Sequence, residues 1–140
     1  MKLNLLTFCL FLSGCAVWPT LTRPNAQFEI RDENNKPVPS AWLKLATVKN
    51  PYSREVEIGN FEADSQGKID IESKRHWETQ VYIWPHGVNY YHWNYCASAD
   101  GYQSTTGQIT KNDLPDKLIV VHLTKSKAAS TCAESLKNLR

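Results

Sequence analysis

The 140-residue chain is short of most features that mark a catalytic or nucleic-acid-binding protein. Charge of one sign is missing: 16 Lys and Arg face 14 Asp and Glu, a formal +2. A nucleic-acid binder would carry a basic stripe, whereas the cations here are scattered and serve to solvate the surface. After Cys15 no apolar run approaches the roughly 20 residues that a membrane-crossing helix needs. There is no Gly-x-Ser-x-Gly elbow to hold a nucleophile, no Cys-x-x-Cys, no pair of His spaced as zinc ligands around a Cys, and no internal repeat.

What is present begins at the first residue. Lys2 is followed by Leu3, Leu5, Leu6, Phe8, Leu10, Phe11 and Leu12, then by the small residues Ser13 and Gly14. That is the charged, apolar and small-residue layout of a signal peptide. It is several residues too short to span a bilayer. Leu12-Ser13-Gly14-Cys15 resembles the lipobox of bacterial lipoproteins. The resemblance implies that residues 1–14 are a signal removed before Cys15, that the Cys15 thiol carries diacylglycerol, and that the new amine is acylated. Several acyl chains would hold the protein durably to a membrane, each buried CH₂ contributing about 0.8 kcal/mol. Ala16, where inner-membrane lipoproteins of this type usually have Asp, resembles outer-membrane sorting and implies a place in the cell envelope at the outer membrane. Residues 15–25 contain Pro19 and Pro24, with Thr20 and Thr22 and no periodicity, and read as a lipidated tether.

About 126 residues remain, enough for one domain. With Cys9 gone and Cys15 taken by lipid, Cys96 and Cys132 are left. In an oxidising compartment two such thiols most simply form a disulfide, with metal ligation or a reactive thiol as the alternatives.

From Ala26 the chain alternates on a period of two between turn signals. Phe28 and Ile30 precede the turn from Asp32 to Pro37; Leu43, Leu45 and Thr47 alternate with Trp42, Lys44 and Ala46 before a turn at residues 50–53. Val56, Ile58, Phe61 and Ala63 lead to Asp64-Ser65-Gln66-Gly67, where Gly supplies a positive φ. Then come Ile69 and Ile71, Val81 and Ile83, the strand Tyr91 to Ala97, a polar strand between Tyr102 and Thr110, and Leu118 to Leu123. Short strands with a turn every ten or so residues predict an all-β sandwich of seven to eight strands over residues 26–124. In the tail, residues 125–140, Thr131-Cys132-Ala133-Glu134 has the form of a capping box, and Cys132, Leu136 and Leu139 share one face of a short helix.

On these residues the chain resembles the transthyretin-like, carboxypeptidase-regulatory-like β-sandwich family. The resemblance rests on the turn from Asp32 to Pro37 with Pro39-Ser40-Ala41 after it, the turn from Ala63 to Lys68, and Ala97-Ser98-Ala99-Asp100-Gly101-Tyr102. It implies an immunoglobulin-like fold and no particular activity. One branch hydrolyses 5-hydroxyisourate and ends in Tyr-Arg-Gly-Ser, a signature that Lys137-Asn138-Leu139-Arg140 does not match.

Aromatic residues crowd the segment from Trp77 to Tyr95. Such rings grip sugars or anchor protein interfaces. Tyr91, Trp93, Tyr95 and Ala97 share one strand face and suit the core; His92, Asn94 and Cys96 share the other, so Cys96 points toward a surface that the tail helix would cover through a bond to Cys132. Trp84, His86 and Tyr90 lie in or beside the turn and are the better binding candidates. His76, His86, His92 and His122 invite a metal reading, but no spacing gathers them, and solvated or hydrogen-bonded histidines are expected. No cofactor and no metal site is expected, and Asp64 and Asp100 are accounted for by their turns. The leading expectation is a non-catalytic lipoprotein, held to the membrane by its lipid, that docks an envelope protein partner, for instance in a secretion complex. A carbohydrate or peptidoglycan binder and a periplasmic immunity or inhibitor lipoprotein are the alternatives.

Overall fold

A computed structural model describes residues 15–50, 52–81, 89–110, 118–126 and 132. Among these described residues nine strands follow one another: β1 Cys15–Arg23, β2 Ala26–Asp32, β3 Trp42–Asn50, β4 Arg54–Glu62, β5 Lys68–Ile71, β6 Lys74–Val81, β7 Tyr90–Ser98, β8 Thr105–Ile109 and β9 Leu118–Leu123. Three sheets result, ordered β5-β2-β9, β4-β3-β7-β8 and β1-β6. The first two face each other as a sandwich, and β2 and β9 run parallel, Phe28 beside Ile119 and Ile30 beside Val121. The fold is all-β, as the alternation requires. The expected helix from Cys132 to Leu139 lies, apart from Cys132 itself, outside the described residues.

The core forms where the period-two faces meet. Phe28 and Ile30 from β2, Ile69 and Ile71 from β5, and Val121 and Leu123 from β9 pack on Leu43 and Leu45 of β3, Trp93 and Ala97 of β7, and Ile109 of β8. Tyr95, partly buried, stacks edge-on against Phe28 with ring centroids 5.2 Å apart. One cross-sheet row explains two glycines. Gly59, Leu45, Tyr95 and Gly107 are neighbours on consecutive strands. The Phe61 ring lies over Gly59 and the Tyr95 ring over Gly107, each within 3 Å of where a Cβ would stand. The edge strands thus use glycine so that aromatic rings can close the core's flanks.

Two hairpin loops share one design. Asp32 Oδ1 accepts from the N–H groups of Asn34 and Lys36 at 2.9 and 2.8 Å, and Asp64 Oδ1 from those of Gln66 and Lys68, both at 2.8 Å. The backbone bonds match as well, from Asn35 N–H to the Asp32 carbonyl and from Gly67 N–H to the Asp64 carbonyl. The fourth residue is left-handed in both, Asn35 at φ 63° and Gly67 at φ 72°. The backbone bond from Lys36, joined by that from Asn34, holds the Asp32 carboxyl below its ordinary range despite the opposing effect of burial. A Cβ on Gly67 would also stand 2.6 Å from the Ile30 carbonyl oxygen. Gly67→Ala is therefore expected to lower stability by more than the roughly 1–2 kcal/mol of left-handed strain alone, while Asn35→Gly changes it by only a few tenths of that. Urea midpoints of the two variants check the contrast.

The largest departure from the sequence reading is at the start. The segment read as a tether, residues 15–25, is mostly strand β1, paired antiparallel to β6 from Cys15 opposite Val81 through Leu21 opposite Arg75. Pro19 disguised it, because proline lacks the N–H of a ladder. β1 pairs on one side only, and proline is admitted on an edge strand whose donor would face away from the partner. The strand is also pinned to the sandwich: the Thr22 carbonyl accepts from Thr47 Oγ1 at 2.6 Å and from Trp93 Nε1 at 3.0 Å. β6 likewise begins at Lys74, upstream of the Val81 and Ile83 on which the sequence reading placed that strand.

Candidate functional site

The sandwich and the β1-β6 ribbon enclose a half-open cavity of about 250 Å³, with Thr20 and Thr22 from β1, Lys49 from β3, Val56 and Glu57 from β4, His76 and Glu78 from β6, and Tyr91 from β7 on its walls. Parity explains most of this set. Thr47 and Lys49 continue the inward face of Leu43 and Leu45, and Tyr91 continues that of Trp93, so the sheet's inner surface turns from apolar to polar beneath the ribbon. A bulge does the rest: the β3-β4 register shifts between Thr47 and Val48, which lets the consecutive residues Val56 and Glu57 both line the space.

Glu78 is the hub. It is bonded to Lys49 and accepts from the Tyr91 hydroxyl at 2.6 Å. Burial pushes its carboxyl up, but the bonds from Lys49 and Tyr91 together outweigh burial and leave it below its ordinary value. Burial, reinforced by the Glu78 carboxylate, pushes the Tyr91 phenol well above its usual range. Across the cavity Glu57 meets Lys74 at 3.1 Å and Arg23 at 3.8 Å. These charges neutralise one another, Glu78 with Lys49 and Glu57 with both Lys74 and Arg23. Among the described residues no buried side-chain nitrogen or oxygen lacks a partner.

The pH dependence follows from Glu78. A carboxyl depressed in the folded state adds stability above its unfolded pKa of about 4.3, and that stability is lost as pH falls through the folded value. Glu78→Gln is expected to cost roughly 1–3 kcal/mol at pH 7, the usual range for a bond to a charged group. At acid pH, below that folded value, the two proteins should converge. Urea titrations at both pH values measure this, and an equal gap at each would contradict it.

Of the binding candidates, Tyr90 is exposed at the start of β7, whereas Trp84 and His86 lie outside the described residues. Tyr91, Trp93 and Ala97 join the core with Tyr95 against it. The other face of β7 carries His92, Asn94 and Cys96. His92 Nδ1 is 2.8 Å from Asn50 Nδ2, and burial lowers its pKa. His76 stands in the cavity wall and His122 beside the Asp32 carbonyl. Among the described residues no three His, Cys, Asp or Glu side chains converge as metal ligands. The Sγ atoms of Cys96 and Cys132 are 2.07 Å apart, bonded as a disulfide, with Cα atoms 5.6 Å apart. Cys96 is 0% exposed although it is not part of the cluster between the two sheets.

The sequence reading missed the Lys49–Glu78–Tyr91 group. Its members come from three strands, 29 and 13 residues apart, and only the ribbon's docking joins them.

The described fold defines an all-β protein with sandwich-like sheets. No family model and no curated protein matches the chain. Among solved structures it is similar to 3-chlorocatechol 1,2-dioxygenase from Rhodococcus opacus 1CP, with a TM-score of 0.48 and 13% identity over 75% of this chain and 62% of that one. It is also similar to catechol 1,2-dioxygenase from Pseudomonas arvilla C-1, with a TM-score of 0.45 and 14% identity over 76% of this chain and 55% of that one. The chain thus spans about three-fifths of the length of these enzymes. At this distance the likeness carries no argument about chemistry.

Proposed function

We propose that this protein is a non-catalytic envelope lipoprotein, acylated on Cys15, whose transthyretin-like sandwich docks a protein partner. The observation that carries the docking is the outer face of the four-stranded sheet. Its centre, Ala46, Val48, Asn94 and Cys96, is buried, while Trp42, Ile58 and Tyr90 on the same face stand exposed around it. Large apolar side chains turned outward beside a covered patch suit recognition. The cavity supports binding rather than catalysis, because its carboxylates and lysines are bonded to each other and not poised toward a substrate. The lipobox and Ala16 support an outer-membrane address. Sugar recognition keeps the exposed Tyr90 in its favour.

Metabolic labelling with an alkynyl fatty acid, followed by pull-down of the tagged protein, tests both halves. Wild type is expected to take label and Cys15→Ser none, since serine offers no thiol for lipid transfer. Trp42→Ala with Ile58→Asp is expected to keep the label and release the partner. Equal label in wild type and Cys15→Ser would sink the lipoprotein reading; sedimentation with isolated peptidoglycan in place of a protein would favour the sugar binder.

A further inference from the structure

We infer that the β1-β6 ribbon is a membrane-seating element, whose exposed Val17, Trp18 and Trp77 lie in the lipid headgroup region beside the acylated Cys15. The inference rests on the lipoprotein reading and adds a second lipid contact to it.

The geometry follows from the replacement of the expected tether by a strand. A flexible linker would let the domain float away from its anchor. Instead Cys15 opens β1, and the residues from Cys15 to Leu21 each stand opposite a residue of β6. At about 3.3 Å per residue, Val17 lies roughly 7 Å and Trp18 roughly 10 Å from the Cys15 backbone. Trp77 is opposite Pro19, and so roughly 13 Å from it. The headgroup layer of one leaflet is roughly 5–8 Å deep. With acyl chains on Cys15 in the hydrocarbon, an upright ribbon brings Val17 to this layer and Trp18 to its edge. A tilt of roughly 50° from upright brings Trp77 into the layer as well.

Chemistry agrees with depth. Val17, Trp18 and Trp77 are 61, 60 and 67% exposed, whereas Trp93 in the sandwich is buried. Trp18 and Trp77 lie on opposite faces of the ribbon, since Trp18 opposes Glu78 and Trp77 opposes Pro19. A flat protein partner would cover one face, whereas a fluid interface can wet both. Tryptophan is the side chain that prefers this layer, with an apolar ring and one N–H donor. The pinning of Thr22 by Thr47 and Trp93 then transmits the seating to the sandwich, fixing its height and tilt over the membrane.

The test uses full-length acylated protein in vesicles of phosphatidylethanolamine and phosphatidylglycerol with brominated acyl chains, which quench tryptophan emission at short range. Wild type is expected to be quenched, and Trp18→Phe with Trp77→Phe to lose at least about half of that quenching. Both residues are exposed, so the thermal midpoint should not move. Alkynyl fatty-acid label is read on the same samples. Label present with wild type unquenched, or with the double variant quenched as strongly, overturns the seating alone. Absence of label overturns the lipoprotein reading and the seating with it.

Discussion

Replacing Trp93 by alanine is expected to cost about 3–5 kcal/mol, the range for deleting a large buried aromatic side chain. Whole domains of this size are stable by only about 5–15 kcal/mol, so the variant should sit close to unfolding at 37 °C. Trp93 is 1% exposed, and it lies at the junction of the sandwich with the ribbon. Its ring fills the core beside Tyr91 and Ile109, while its Nε1 donates to the Thr22 carbonyl. Trp93→Phe separates the two roles, keeping most of the packing but removing the donor. Thr47 Oγ1 still reaches the same carbonyl, so that oxygen is not orphaned and the loss should be closer to 1–2 kcal/mol. The ribbon gives a second readout. If Trp93 pins β1, limited proteolysis should cut residues 15–23 faster in Trp93→Phe than in wild type. A urea midpoint within error of wild type for Trp93→Ala would show that the side chain is not the keystone assigned here.

Trp93 also illustrates what a sequence can disclose. Its inward position is readable from parity alone, because Tyr91, Trp93, Tyr95 and Ala97 recur every second residue and a strand places such residues on one side. The Asp64 turn is readable through Gly67. The matching turn at Asp32 is visible as a turn, but its identical bonding is hidden because Asn35 fills the left-handed position. β1 was not legible, since Pro19 is a breaker by local rules and an edge position becomes known only when the partner strand is placed. The same holds for Val56, whose direction is set by a bulge that no periodicity announces. The cavity is the extreme case: Lys49 and Glu78 look like ordinary surface residues and Tyr91 like a core residue until three strands meet. Local alternation thus disclosed the sandwich, and long-range pairing made the site.

Loss of the Cys96–Cys132 bond is expected to destabilise the protein by about 2–4 kcal/mol, the chain-entropy value for so long a loop. The closed loop spans 36 residues and contains β8 and β9. β9 pairs with β2 in a parallel ladder, which cannot be closed by a tight hairpin and requires a long connection. The bond shortens the search for that pairing in the unfolded chain. On the folded side, Cys96 is opposite Lys44 on β3 and Thr106 on β8, on the face that also buries Ala46 and Val48. The disulfide brings Cys132 onto this covered face and joins residues beyond β9 to the central strands. Reduction and substitution should agree: wild type in dithiothreitol and the double variant Cys96→Ala with Cys132→Ala are expected to share one lowered urea midpoint, and the double variant should be indifferent to reductant. The refolding rate carries the entropic signature, because a restraint on the unfolded chain should speed the closure of β2 against β9. A wild-type midpoint unchanged by full reduction would mean that the bond adds nothing to stability. The covered face would then be held by packing alone.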